Sequence, residues 1–493
     1  MFPEHSGSTF FLKQVAFFRR LDKLVITIFE RRTYMEIWEP REVLEKASAT
    51  GADFAELFFE DRHDNKIRCS KGVIGGVTSL HICGVGLHLL KGTSSVYLYG
   101  NDLSRQGLLS LAETGSMLIR DAETAGWSGN RNAFPVSDQA VCPVRIMPEE
   151  VGTDQKVLRL QEMDQAVRTS GVQVQSMELT YFDQTQQVRI LNSDGLDVSD
   201  TRVFTRVRLA GTVGWNGRQV YSFGDFIRPA GYEAFEKGEH IPFASGFVKG
   251  LEKRLQAPGM KSCVLPVVFG EGSPGVFWHE ACGHNLETEA GKSGPFWNSR
   301  GKMIASRKVT LIDDGSVPGL CGSERMDDEG HPTQKNILID HGKMVLQMAD
   351  ILGGRLTGTG STGSGRRQSY TYAPCARMHN TYLAPGEDDD DEMISSLSDG
   401  IYVTEVGGGS SGRNFSVAVN YGYRIRGGRL AEPISGITLS GDASELIQRV
   451  DRVGRKLVFE EGGGYCGASS GLVMTTNSEP RFRISEMNVG GTE

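Results

Sequence analysis

The sequence predicts an α+β protein: an N-terminal mixed helix and sheet domain followed by a β-rich C-terminal domain that carries one functional helix. Three observations predict it. Strand-like segments follow one another through short turns such as Asn192-Ser193-Asp194-Gly195 and Asn216-Gly217, which argues against a parallel, doubly wound sheet. Helical periodicity is concentrated in the first half. Glycine is abundant, at 62 of 493 residues, against 17 prolines, a balance that suits many tight turns.

In chain order, residues 1–34 read as an atypical N-terminal extension, with the functional chain starting at or near Met35. This stretch mixes aromatics with Lys and Arg (Phe10, Phe11, Phe17, Phe18, Arg19, Arg20) and has no apolar run of signal-peptide or membrane-spanning length. A short helix is predicted over 40–48, then strands at 54–59 and 67–69. A hairpin follows, with strands 86–90 and 96–99 joined by Lys91-Gly92-Thr93. Asp102 is read as the cap of a helix to about residue 122, with Leu108, Ala112, Leu118 and Ile119 as its apolar stripe. Val157, Leu160, Met163 and Val167 mark a second helix over 154–169, ended by Gly171. A strand meander covers 174–223, and a helix at 242–256 leads into the second half. Breaks at Pro229, Gly231 and Gly238 place the boundary between domains 35–230 and 231–493.

A net charge of −8 and a pI near 5.8 argue against a nucleic-acid or anionic-membrane surface. Eight cysteines without a C-x-x-C pair read as reduced thiols in a soluble, cytoplasmic protein.

The most informative stretch is Trp278-His279-Glu280-Ala281-Cys282-Gly283-His284. Two imidazoles and a carboxylate form a minimal kit for holding zinc and deprotonating its water. In H-E-x-x-H motifs the histidines stand four apart; here they stand five apart, which an ideal helix splays by about 140°. A shared metal therefore demands a π-bulge or a distorted turn, and Gly283 sits where one is accommodated. The apolar run 264–269 reads as a buried strand before it. Gly270-Glu271-Gly272 forms a loop, Ser273-Pro274 starts the helix and Gly291 stops it. Glu287, seven residues after Glu280, is expected on nearly the same helical face.

Two histidines need a further ligand. Cys466, within Gly462-Gly463-Gly464-Tyr465-Cys466-Gly467, is the strongest candidate, with His331, His341, His379 and Glu287 as rivals by residue type. Cys282 is read as core. Gly358-Thr359-Gly360-Ser361-Thr362-Gly363 lacks the strand–helix setting of a dinucleotide fingerprint and reads as a flexible loop near the site. The acidic run 387–392 lacks EF-hand spacing and favours the start of a short helix near 393–397.

These residues resemble the TldD/PmbA family of zinc metallopeptidases, specifically its TldD branch. His279-Glu280-x-x-x-His284 with Leu286-Glu287 is similar to the family signature. Asp327-Asp328-Glu329-Gly330, Gly365-Arg366-Arg367-x-Ser369-Tyr370, Arg377-Met378-x-Asn380-Thr381-Tyr382 and Val489-Gly490-Gly491 follow in family order. The resemblance implies zinc held by His279, His284 and Cys466, with Glu280 as general base in peptide hydrolysis. It also implies a dimer, with itself or with a metal-less paralogue. After Cys466-Gly467 the family shows a Lys and then a Gln, where this chain has Ala468 and Ser470.

The expected function is hydrolysis of unstructured peptides or small proteins, with no nucleic-acid or membrane partner. Glu287 is a candidate to orient a ligand histidine, and Arg366, Arg367, Tyr370 and His379 are candidate oxyanion or substrate contacts. The alternatives are a non-catalytic scaffold partner in such a complex, or a zinc amidohydrolase of small molecules.

Overall fold

The computed structural model describes residues 40–122, 136–137, 139–272, 276–460 and 462–491. The extension 1–34 and the Ser273-Pro274 helix start lie outside these residues. The predicted α+β class holds, with helices on the first sheet and short helical turns between strands elsewhere.

Six antiparallel strands build the first sheet, in the order β3-β2-β1-β4-β5-β6: β1 Phe54–Ser70, β2 Val73–Lys91, β3 Ser94–Gly100, β4 Val174–Asn192, β5 Asp197–Trp215 and β6 Arg218–Arg228. The turn residues act as expected. Asn192 Oδ1 accepts from the backbone N–H of Asp194 and Leu196, and Asn216 and Gly217 have φ of 47° and 78°, the left-handed pair of a type I′ turn.

Two expectations for this half are corrected. The separate strands 54–59 and 67–69 are one strand, β1. The intervening polar residues pair sideways with both neighbours and find side-chain partners, so polarity does not break the strand. The helix Arg105–Ile119 is capped by Ser104, whose side chain accepts from Gly107 N–H; Asp102 instead accepts from Ser104 N–H. Leu118 is 57% exposed, and Gly115 and Ser116 take the inner face with Leu108, Ala112 and Ile119.

One face of β1 and β2 is covered in two patches. Helices Arg41–Ser48 and Arg105–Ile119 bury Leu57, Val85, Leu87 and Leu89, while helices Thr153–Arg168 and His240–Gln256 bury Ile67, Cys69, Leu179 and Leu209. The other face of β1 meets the second half of the chain. Arg367 donates to Glu56 Oε1 at 2.6 Å, Tyr370 N–H donates to Glu60 at 2.8 Å, and Arg62 donates to the Gln368 carbonyl.

The second half is strand-rich. β7, Cys263–Phe269, runs parallel to Asp399–Ser410 and antiparallel to Phe482–Gly490 in a seven-stranded sheet. A further seven-stranded sheet centres on Gly471–Glu479, which pairs parallel with Asn380–Leu383 and antiparallel with Gly464–Ala468. The short helix begins at Asp390, with Asp389 as its cap and three acids in its first turn, the favourable placement at a positive helix end. The glycine-rich stretch after the helix Ile351–Thr357 starts with Gly358 as a left-handed cap; Thr362 and Ser364 within it are buried and hydrogen-bonded.

Candidate metal centre

The helix expected to run to Gly291 is much shorter and changes pitch twice. After one α turn at Val276–Trp278, His279–Gly283 form a π turn, and His284–Leu286 continue as 3-10. His284 N–H donates to the His279 carbonyl, so the two histidines themselves close the i to i+5 ring. That closure brings residues five apart nearly into line, which answers the 140° splay. Packing forces the turn. Phe277 lies 5.2 Å from Phe269, 5.0 Å from Phe415 and 5.4 Å from Phe482 by ring centroid. At Gly283 a Cβ would meet Met378 Sδ at 2.0 Å, so only glycine allows this approach.

Cys466 arrives on the strand Gly464–Ala468. Its Sγ lies 3.2 Å from His279 Nε2 and 3.4 Å from His284 Nε2, and the two imidazole rings stand edge to face. The three ligand atoms all fall within 4.8 Å of one another. Tetrahedral zinc, bonded at about 2.0–2.1 Å to nitrogen and 2.3 Å to sulfur, would hold such atoms about 3.5 Å apart, so the donor set fits. Of the rivals, His331 bonds the Pro332 carbonyl, His341 occupies an exposed turn and His379 lies near Asp313 and Glu324. Cys282 is buried in the core.

Each imidazole is locked from behind. His279 Nδ1 is 3.0 Å from Asn477 Oδ1, and His284 Nδ1 is 2.9 Å from Glu287 Oε2. With these oxygens accepting, each Nδ1 carries a proton, and Nε2 is the atom that each ring turns toward Cys466. Burial raises the Cys466 thiol, but the hydrogen bonds and charge of His279 and His284 outweigh it and bring its pKa down to about 4. Burial lowers His284, yet Cys466 and Glu287 lift it to about 10. Glu287, fully buried, is raised by desolvation against the pull of His284 and Arg377. Cys466 is thus held as a thiolate by hydrogen bonds and charge from the two imidazoles, the place that a divalent metal would take.

Glu287 does not share a face with Glu280, because the change from π to 3-10 pitch and an extended residue 287 turn it inward. Glu280 is half-buried beside Gly409, where a Cβ would stand 3.0 Å from its Cγ. Two buried residues in the site had no role assigned from sequence. Arg377 donates to the Cys466 and Gly471 carbonyls and to Ser470 Oγ, clamping the cysteine hairpin. Its presence in Arg377-Met378-x-Asn380 was the available signal. Asn477 lies across the sheet from the motif and carried none.

Arg366, Arg367, Tyr370 and His379 are committed elsewhere. Arg366 donates to the Met378 and Met474 carbonyls and to Glu324, and Arg367 pairs with Glu56. Tyr370 packs edge-on against Tyr99, and His379 N–H donates to Asp313. The contacts of Arg367 and Tyr370 join the two halves of the chain, those of Arg366 and His379 stay within the second half, and none of these reaches His279, His284 or Cys466. A cleft of about 470 Å³ between the halves is lined by Tyr465, Phe204, Arg206 and Glu324, but not by the three donors or Glu280.

Comparison with known proteins agrees along the chain. The PmbA/TldA metallopeptidase models match as domain 1 at residues 55–119, as the central domain at 146–244 and as the C-terminal domain at 262–491. A metalloprotease TldD homolog of Haemophilus influenzae is 31% identical over 455 residues, 89% of this chain and 93% of that protein. A zinc metalloprotease TldD homolog of Saccharolobus solfataricus is 22% identical over 69% of this chain and 76% of its own length. The crystal structure of TldE from Thermococcus kodakarensis shares the fold, with TM-score 0.66 and 18% identity over 92% of this chain and 99% of that one. With 31% identity across nearly all of a TldD homolog and all three domain models in order, the chain belongs to the TldD/PmbA metallopeptidase family.

Proposed function

We propose that this chain is a zinc-dependent peptidase of unstructured peptides or small proteins, with His279, His284 and Cys466 as ligands and Glu280 as general base. The convergence of the two Nε2 atoms and the Cys466 thiolate on one point, beside Glu280 on the same π turn, carries this reading. Zinc, when bound there, supplies a Lewis acid that acidifies water and polarises the scissile carbonyl. Glu280 then accepts a proton from the attacking water and returns it to the departing amine, a shuttle that its half-exposed position allows. Asn477 and Glu287 keep the imidazoles oriented, and Arg377 holds the cysteine strand in place.

Peptide is favoured over a small amide by the strand next to Glu280. Asp399–Ser410 pairs with Asn414–Arg426 on one side, whereas its pairing with β7 ends at Val403 and Phe269. Among the described residues no strand continues along Thr404–Ser410, so its backbone groups offer an edge for an extended chain beside the base. The reading includes a further element, implied by the family resemblance, that the chain works in a dimer, with itself or with a metal-less paralogue. The scaffold alternative is disfavoured by the intact donor set and base.

The test is cleavage of an unfolded peptide by zinc-loaded wild type and by Glu280→Gln, with zinc content measured on both. Cleavage by wild type only, at equal zinc content, supports the assignment. Equal cleavage by both removes Glu280 from the reaction, and a wild type that takes up no zinc favours the scaffold reading.

A further inference from the structure

A second group of metal-ligand side chains lies on the first sheet, on the face that carries the helices. Asp61 and His63 are alternate residues of β1, and His81 and Cys83 are alternate residues of β2. The register pairs Asp61 with Cys83 and His63 with His81, so the four side chains stand at the corners of one patch. His81 Nε2 is 2.8 Å and His63 Nε2 3.5 Å from the same Asp61 oxygen, Oδ1. The two imidazoles stack at 4.3 Å with planes 4° apart. The ligand atoms of Asp61, His63 and His81 all lie within 4.8 Å of one another.

The place in the fold is unusual for such a group. Along this face of β1, Leu57 is buried under one pair of helices and Ile67 and Cys69 under the other. Asp61 and His63 occupy the interval between the two apolar patches. The three side chains are partly buried, with Asp61 at 18%, His81 at 30% and His63 at 40% exposure. Neither histidine belongs to either hydrophobic cluster.

We propose that Asp61, His63 and His81 form a second divalent transition-metal site of the zinc class, separate from the His279–His284–Cys466 centre. Two imidazoles and one carboxylate are a sufficient zinc donor set, with a fourth position left to water or to the flanking Cys83. A metal here would tie β1 to β2 across the interval that the helices leave between them. The proposal does not depend on the peptidase reading, because no residue is shared.

The experiment is zinc uptake by the full chain from a buffered zinc solution, with bound metal counted by elemental analysis. Wild type is expected to hold about two zinc ions per chain, and His63→Ala/His81→Ala about one. In a Cys466→Ala background the same pair of substitutions is expected to take zinc from about one to none. Asp61→Asn, which keeps the size of the side chain, is expected to weaken the second equivalent at least tenfold, and near-UV circular dichroism checks that each variant is folded. If folded His63→Ala/His81→Ala binds as much zinc as its parent in both backgrounds, the site is refuted, whatever the fate of the Cys466 centre.

Discussion

Asn477 offers a sensitive probe of how the imidazoles are held. Its Oδ1 accepts from His279 Nδ1 at 3.0 Å in a buried setting, and this hydrogen bond fixes which nitrogen faces Cys466. Asn477→Leu preserves approximate volume but removes the acceptor. The Nδ1–H is then left buried without a partner, at a cost of about 1–3 kcal/mol. Bonds of this kind behind a metal-bound histidine are worth roughly 10–100-fold in metal affinity. Zinc affinity measured by competition with a chromophoric chelator is therefore expected to fall by that factor. Asn477→Asp retains an acceptor at the same position and is expected to stay within about tenfold of wild type. Unchanged affinity in Asn477→Leu would refute the tautomer lock. An equal loss in both variants would show that the acceptor oxygen is not what the amide contributes.

Three further outcomes are expected. Gly283→Ala forces its methyl into Met378 Sδ and should lower both zinc affinity and thermal stability by about 1–3 kcal/mol, with partial recovery in Gly283→Ala/Met378→Ala; a neutral Gly283→Ala would contradict the tight π turn. Arg367→Met leaves Glu56 buried without its cation and should cost about 3–5 kcal/mol in denaturant unfolding, whereas Arg367→Met/Glu56→Leu should recover most of it. Glu460 is lifted by burial from the usual carboxylate range to about 7. The folded state therefore binds more protons than the unfolded state between about pH 4.5 and 7, so Glu460 makes stability fall as pH rises through that window. Glu460→Gln should flatten that slope in pH-dependent unfolding.

The chemistry of the centre was more legible in the sequence than its supports. A five-residue spacing between His279 and His284 excludes a regular helix if the two meet, and a π turn resolves it, with Gly283 at the contact with Met378. Cys466 stood out through its glycine-rich frame. Glu287 hydrogen-bonds His284, through a change of helical pitch that its spacing from Glu280 did not reveal. Asn477 stayed hidden because its role arises from a strand pairing distant in sequence. Arginine suits an oxyanion and a buried carboxylate alike, and only the tertiary packing shows that Arg366 pairs with Glu324 and Arg367 with Glu56 of β1. The fold shows the same division. Hairpin turns were read from local residues, whereas β1 was split in two because Glu60, Arg62 and Asp64 look like loop residues until their partners on β1 itself, on β4 and at Gln368 are known.

The central claim, a metal held by His279, His284 and Cys466, is tested most directly by zinc K-edge X-ray absorption. The His63→Ala/His81→Ala chain loaded with one equivalent of zinc isolates the centre. The account predicts one sulfur scatterer at about 2.3 Å, imidazole nitrogens at about 2.0–2.1 Å, and loss of the sulfur signal in Cys466→Ser. A spectrum without sulfur, or a sulfur signal that survives Cys466→Ser, would contradict it.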